Sequence, residues 1–267
     1  MTALAARRRH PLALVLLIAL GLLATGGLYA ALAPKPAAAA TASADDIEQG
    51  HKLFIANCAS CHGLNAEGTE KNAKGEAAGP SLIGVGAAAV DFQVGTGRMP
   101  LTFPGPQAIQ KPNLFSDKQV SQMAAYVASL APGPAIPGED VTNASKGDPA
   151  RGGEIFRINC AMCHNFTGAG GALTRGKWAP SLQGVSAKHI YEAMITGPQS
   201  MPVFNDNNIT PQSKQDVIAY LDSVNSSPHQ AGSSLGNMGP VSEGLFVWIV
   251  GIGALIGCAV WLGAKAA

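Results

Sequence analysis

The chain has 267 residues, of which 47% are hydrophobic and only 13% charged, with a formal net charge of +1. That balance is more apolar than an ordinary soluble domain and excludes a disordered, highly charged chain. Residues 45 to 240 carry 13 Lys plus Arg against 16 Asp plus Glu, a balance of −3 without any basic stripe, which excludes nucleic acid as a partner.

The first element is an uncharged run from Leu12 to Ala33 behind Arg7, Arg8 and Arg9. It exceeds the roughly 7 to 15 residues of a signal-peptide core and reaches the roughly 20 that cross a bilayer. Residues 1–33 are expected to form a hydrophobic N-terminal helix, either an anchor or a signal segment. The small-residue sites at 38–40 and 42–44 leave both readings open. On either one the chain is exported.

Two repeats follow, each about a hundred residues long. The segment "GHKLFIANCASCHG" (50–63) returns as "GGEIFRINCAMCHN" (152–165), "GPSLIGV" (79–85) as "APSLQGV" (179–185), and "AAYVASL" (124–130) as "IAYLDSV" (218–224). The repeats occupy 45–131 and 147–225, separated by a Pro/Gly-rich linker at 132–146 and followed by a second linker at 226–243. In each, a Gly/Phe pair four apart (Gly50 and Phe54, Gly152 and Phe156) shares one helix face just before the cysteine cluster. Residues 117–130 and 211–224 are predicted amphipathic helices starting at Asp117 and Thr210. The polar loop 65–79 has no hydrophobic period and is expected to be exposed. No strand period is apparent, so the expected class is all-α.

The clusters carry the chemistry. Cys58, Cys61 and His62, and again Cys160, Cys163 and His164, form CxxCH, the attachment signature of c-type haem. Thiols at i and i+3 reach one side of a helical turn and can bond the two vinyl groups of one porphyrin, while the next histidine meets the iron. Zinc would want four converging ligands, and these clusters sit in separate repeats. The expected cofactors are two covalently bound haem c groups.

Met99 and Met201 each lie 37 residues beyond their histidine and are each followed by proline, which marks them as the sixth iron ligands. Met123 and Met194 read as helix positions with no counterpart in the other repeat, and Met162 lies between its own cysteines. Pro80 and Pro180 have two open readings: a backbone carbonyl for the histidine Nδ1 proton, or an ordinary turn proline. His10, His51, His189 and His229 have no repeated partner and read as surface or linker residues. His/Met ligation saturates the iron, which favours electron transfer over substrate catalysis. A diheme peroxidase would need a vacant iron site.

The last element, "GLFVWIVGIGALIGCAVWLG" (244–263), is an uncharged run with Trp248 and Trp261 near its ends and Lys265 after it, a predicted transmembrane helix. Arginines before the first helix and a lysine after the second put both termini in the cytoplasm and the repeats outside. Cys258 reads as a small apolar residue, and Gly253 and Gly257 form a small-xxx-small face that lets helices approach closely.

The repeats resemble class I cytochromes c: a Gly/Phe helix, CxxCH, a proline loop, Met-Pro and a C-terminal helix with tyrosine. The resemblance implies that Gly50 and Phe54 pack on the helix of Tyr126, and Gly152 and Phe156 on that of Tyr220. The whole architecture is similar to the diheme cytochrome cc subunits of actinobacterial menaquinol:cytochrome c reductases, the cytochrome bcc complexes. That likeness implies a multi-pass membrane protein carrying electrons from cytochrome b and a Rieske iron-sulfur subunit to cytochrome c oxidase. It further implies membrane lipid around its helices and membership of a translocating oxidoreductase. The alternative is a diheme subunit of another extracytoplasmic dehydrogenase.

Overall fold

The computed structural model describes residues 11–32, 42–69, 79–103, 105–226 and 240–265. The arginines at 7–9, the site at 38–40, most of the polar loop 65–79, most of the linker 226–243, and His10 and His229 lie outside the described residues. Residues 1–41 and 42–267 are separate compact bodies. The first contains α1, Pro11–Leu32, a 22-residue apolar helix.

In the second body the first repeat folds as α2 (Ala44–Asn57), α3 (Ala59–His62), α4 (Gly86–Gly95) and α5 (Asp117–Leu130). Ser43 caps α2 by accepting from Asp46 N at 3.0 Å, and Asp45 and Asp46 place negative charge on its first turn. The α5 bounds are those expected, but its cap is Ser116 in a capping box with Gln119, not Asp117, which is already helical. The second repeat gives α6 (Glu139–Thr142), a 3-10 turn at Ala144–Lys146, α7 (Pro149–Asn159), α8 (Ala161–His164), α9 (Ala187–Thr196) and α10 (Pro211–Ser226). Thr210 Oγ1 accepts from Ser213 N at 3.2 Å, so the predicted start of α10 holds. A two-residue hairpin, β1 (Gly171–Ala172) with β2 (Trp178–Ala179), is the small exception to an otherwise helical body.

In both repeats the helix that leads into the cysteine cluster, α2 or α7, crosses the last helix, α5 or α10, at a glycine. A Cβ on Gly50 would overlap the carbonyl of Gln122, and one on Gly152 the carbonyl of Asp216, so only glycine lets the backbones meet. One turn on, Phe54 faces Tyr126 at 5.2 Å between ring centroids and Phe156 faces Tyr220 at 5.3 Å, as the family resemblance implied. Phe54, Val120, Met123 and Val127 form one core, and Phe156, Met194, Val217 and Leu221 the other.

Different polar groups secure the same crossing. Gln122 donates to Asp46 Oδ1 at 3.2 Å in the first repeat. In the second, the buried Asp216 carboxylate accepts from Asp148 N at 2.9 Å, Arg151 Nε at 2.6 Å and Gln212 Nε2 at 3.1 Å.

The linker is fastened to both repeats. Ala88 N donates to Pro134 O at 3.1 Å, and Gln215 Nε2 donates to the carbonyls of Asp140 and Asn143 at 2.9 and 3.1 Å. The repeats also touch directly. Trp178 N donates to Gln107 Oε1 at 3.0 Å, Ala108 N to Gln199 Oε1 at 3.4 Å, and Lys188 pairs with Asp91 at 2.6 Å. His189, expected at the surface, is instead in this seam, edge-on to Phe92 with ring centroids 6.1 Å apart. The cause is tertiary: α9 turns it toward α4.

At the C-terminus, α11 (Pro240–Val247), a π-helical turn (Trp248–Ile252) and α12 (Gly253–Lys265) form one run. Among the described residues, Gly244–Lys265 is the one helix long and apolar enough to cross a membrane; the described apolar stretch of α1, Leu12–Leu28, is shorter. Lys265 Nζ lies 4.6 Å from the Trp261 ring centroid.

Candidate haem sites

Each cluster is made by breaking one helix and starting another. Cys58 N donates to Phe54 O at 2.8 Å, closing α2, and the Cys58 carbonyl then accepts from Cys61 N and His62 N at 3.1 and 2.9 Å. Cys160 repeats this, with Phe156 O at 2.9 Å and with Cys163 N and His164 N at 3.1 and 2.9 Å. A single turn therefore carries two thiols and an imidazole in both copies. None of the five cysteines is in a disulfide.

His62 Nδ1 lies 2.7 Å from Pro80 O, and His164 Nδ1 lies 2.9 Å from Pro180 O. A carbonyl can only accept, so Nδ1 carries the hydrogen and Nε2 keeps its lone pair, the form a metal requires. Of the two readings open for the prolines, the carbonyl partner is the one realised. Burial lowers the His164 pKa, which keeps the ring neutral, although the bond to Pro180 opposes the shift.

The loop after each histidine is tied back to it. Gly68 N donates to His62 O at 2.7 Å and Leu82 N to Ala66 O at 2.8 Å; in the second copy Gly170 N donates to His164 O at 2.8 Å and Leu182 N to Gly168 O at 2.7 Å. Asn65 and Glu67 are exposed as expected, whereas Ala66 is 0% exposed and Gly79 is buried. They are held by bonds to the histidine turn and to the strand of chain around Pro80.

Gly68 and Gly170 are site residues that sequence reasoning missed. Their φ values are +88° and +86°, and a Cβ on them would sit 2.6 Å from Ser81 N and 2.6 Å from Ala179 O, against the chain bearing each proline. The signal was present: each follows its histidine by six positions.

Met99 and Met201 are half-buried. Met99 packs on the first core, as do Cys58, Ala59 and Leu82; Met201 packs on the second, of which Cys160 is a member, as do Ala161 and Leu182. Their backbone nitrogens are fixed by Gln93 O at 2.9 Å and Pro198 O at 3.0 Å. The rivals behave as their spacing suggested: Met123 and Met194 are interior at 2% exposure, and Met162 is 86% exposed.

Burial, reinforced by the neighbouring cysteine, pushes the Cys58 thiol up to about 11 and the Cys160 thiol up to about 12. Such groups stay protonated and resist casual oxidation. Among the described residues, neither Cys-Cys-His set brings its donor atoms together around one ion, which does not suit zinc. Two thiols one turn apart, a tautomer-fixed imidazole and a thioether over a shared apolar core do suit a covalently held haem c.

Comparison with known proteins agrees. Residues 47–131 match the family model described as Cytochrome c, and residues 147–221 the model described as Cytochrome C oxidase, cbb3-type, subunit III. Haem c binding follows from these cytochrome c domains. The protein of Mycobacterium tuberculosis named cytochrome bc1 complex cytochrome c subunit is 44% identical over 266 residues, spanning 97% of this chain and 92% of that protein. The protein of the same name from Corynebacterium efficiens is 43% identical over 274 residues, spanning 96% and 90%, and that from Mycobacterium leprae 43% over 258 residues, spanning 94% and 87%. Identity at this level extends through nearly the whole chain, well past the CxxCH motifs, and the chain belongs to the family of cytochrome bc1 complex cytochrome c subunits.

Proposed function

We propose that the chain is a membrane-anchored diheme electron carrier. In this reading it takes electrons from the cytochrome b and Rieske iron-sulfur subunits of its own complex and delivers them to cytochrome c oxidase. The observation that carries the reading is the duplicated apparatus: in both repeats an imidazole tied by Nδ1 to a proline carbonyl stands on the same turn as two thiols, with a half-buried methionine on the adjoining core.

Cys58 and Cys61 would hold one haem by thioethers and Cys160 and Cys163 the other, with His62 and Met99, and His164 and Met201, as the iron ligands. Haem c, when bound, supplies a one-electron iron couple. The chain's part would be to offer each iron an imidazole and a thioether, leaving no position open to substrate. Its contribution to a translocating quinol oxidoreductase is thus relay, with quinol chemistry left to the other subunits.

Gly244–Lys265 is long and apolar enough for one span, and the sequence run Leu12–Ala33 would supply a second, with arginines 7–9 and Lys265 on the cytoplasmic side and both repeats outside. Anchoring raises the local concentration of the carrier at its partners, so a strongly charged docking face is unnecessary. The domain −3 balance agrees with that.

Affinity purification after mild detergent extraction tests the proposal. Cytochrome b, the Rieske subunit and cytochrome c oxidase are expected to come with the chain, and recovery with an unrelated dehydrogenase instead overturns it. The reduced protein is expected to leave carbon monoxide unbound at neutral pH; prompt binding at either haem would mean an open iron.

A further inference from the structure

The seam between the repeats contains a cluster that the haem sites do not use. Asp91, on α4, and His189 and Glu192, on α9, bring one donor atom each within 4.8 Å of one another. His189 Nε2 lies 3.7 Å from Asp91 Oδ2 and 3.9 Å from Glu192 Oε2. Glu192 is 0% exposed; neither carboxylate oxygen has a partner of good hydrogen-bond geometry, and the group beside it is the Asp91 carboxyl, with which it can share a proton. A carboxyl group in that position normally costs several kcal/mol unless something in the site compensates it.

We infer that Asp91, His189 and Glu192 form a divalent transition-metal site, suited to zinc, that bridges the two repeats. The donor set is two carboxylates and one imidazole, the mixed oxygen and nitrogen chemistry that zinc accepts and that calcium or magnesium does not favour. Tetrahedral zinc with bonds of roughly 2.0–2.1 Å needs donors about 3.3 Å apart, and the two sides of the triangle that meet at His189 Nε2, 3.7 and 3.9 Å, are close to that length. His189 keeps 20% of its side chain exposed, which leaves room for a water as the fourth ligand.

Charge also accommodates the cation. Around the cluster, α9 supplies Lys188, whose Nζ is 2.6 Å from Asp91 Oδ2, and the turn after α4 supplies Arg98, whose guanidinium instead lies over the Phe92 ring at 4.9 Å. Burial and the Asp91 charge push the Glu192 carboxyl up to about 9, so at neutral pH it holds a proton and Lys188 stands against the Asp91 carboxylate alone. Zinc would take the place of that proton and balance both carboxylates, with His189 as the third donor, and Lys188, 43% exposed, can swing to solvent. Phe92 packs edge-on against His189 and steadies the ring. The site would pin α4 to α9 and hold the two haem-bearing repeats together.

Zinc uptake by the full-length haem-loaded protein in detergent, stripped with chelator and measured by equilibrium dialysis with elemental analysis, tests this. About one zinc per chain is expected in the wild type. Glu192→Gln, nearly isosteric, and His189→Gln are each expected to weaken uptake at least tenfold, on the order of a lost ligand's contribution. His51→Gln, a histidine stacked on Tyr126 away from the seam, is expected to change nothing. The haem absorbance spectrum reports folding, and if one seam variant loses it the other decides. Absence of uptake in the wild type, full uptake in both seam variants, or loss with His51→Gln overturns the inference; in those cases a proton on Glu192 does the compensating.

Discussion

His164 donates from Nδ1 to the carbonyl oxygen of Pro180 across 2.9 Å, and the chain that presents this carbonyl passes close enough to Gly170 to exclude a Cβ there. The orientation of the imidazole is thus set by a glycine that never touches it. Gly170→Ala is expected to push the Pro180 segment away and to force a residue at φ +86° into strain of about 1–3 kcal/mol. The readout is covalent haem per chain by pyridine haemochrome assay, which should fall toward half, with Gly68→Ala giving the same result through the first repeat.

Met99 and Met201 are expected to raise the potentials of their haems, because a thioether is a weak donor that stabilises ferrous iron relative to ferric. Imidazole donates more strongly. Met99→His and Met201→His should each lower the potential of one haem by on the order of 0.1 V or more while leaving attachment intact. Redox titration checks this, with Met123→Leu as a control that should leave both potentials in place, since Met123 is enclosed in the first core.

The helix crossings give a graded test. Gly50→Ala and Gly152→Ala gain up to about 1 kcal/mol of helix propensity but drive a methyl group into a facing carbonyl that cannot yield. Overpacking of this kind costs about 1–3 kcal/mol, so the loss should win, and melting of the altered repeat should fall by roughly 5–10 °C. Gly153→Ala meets side chains that can yield, the Tyr220 ring at 3.1 Å and Arg157 Nη1 at 3.4 Å, and should be much milder in the same thermal scan.

Asp216 makes stability depend on acid. Burial alone would raise its pKa, but the bonds from Arg151, the Asp148 amide and Gln212 outweigh that and lower it. A carboxylate whose folded pKa lies below the unfolded value of about 3.9 stabilises the fold above that pH, and the contribution disappears as pH falls through the folded pKa. Asp216→Asn should therefore cost roughly 1–3 kcal/mol at neutral pH, with the gap from wild type closing below about pH 4. Urea denaturation across pH 3–7 measures it.

Much of the site could be read from the sequence because it is local and written twice. The cysteines and histidines share one turn, and equal spacing singled out Met99 and Met201 over Met123 and Met194. The helix Asp117–Leu130 was visible from its amphipathic period, whereas α4, buried on most sides, offered none. What escaped was tertiary. Glycines at 68 and 170 matter for what lies opposite them, and His189 and Glu192 matter because α9 faces α4, a pairing between repeats that no local pattern encodes.

On the proposed diheme reading the seam would also govern speed. Electron tunnelling falls off exponentially with distance, so a gap that fluctuates gives a hop rate dominated by rare close approaches. Here Gln107 with Trp178, Ala108 with Gln199, and Asp91 with Lys188 clamp one repeat to the other, while Pro134 and Asp140 tie the intervening chain to each side. Transit between the two irons would then be a constant of the polypeptide, insensitive to diffusion, viscosity or the concentration of anything else.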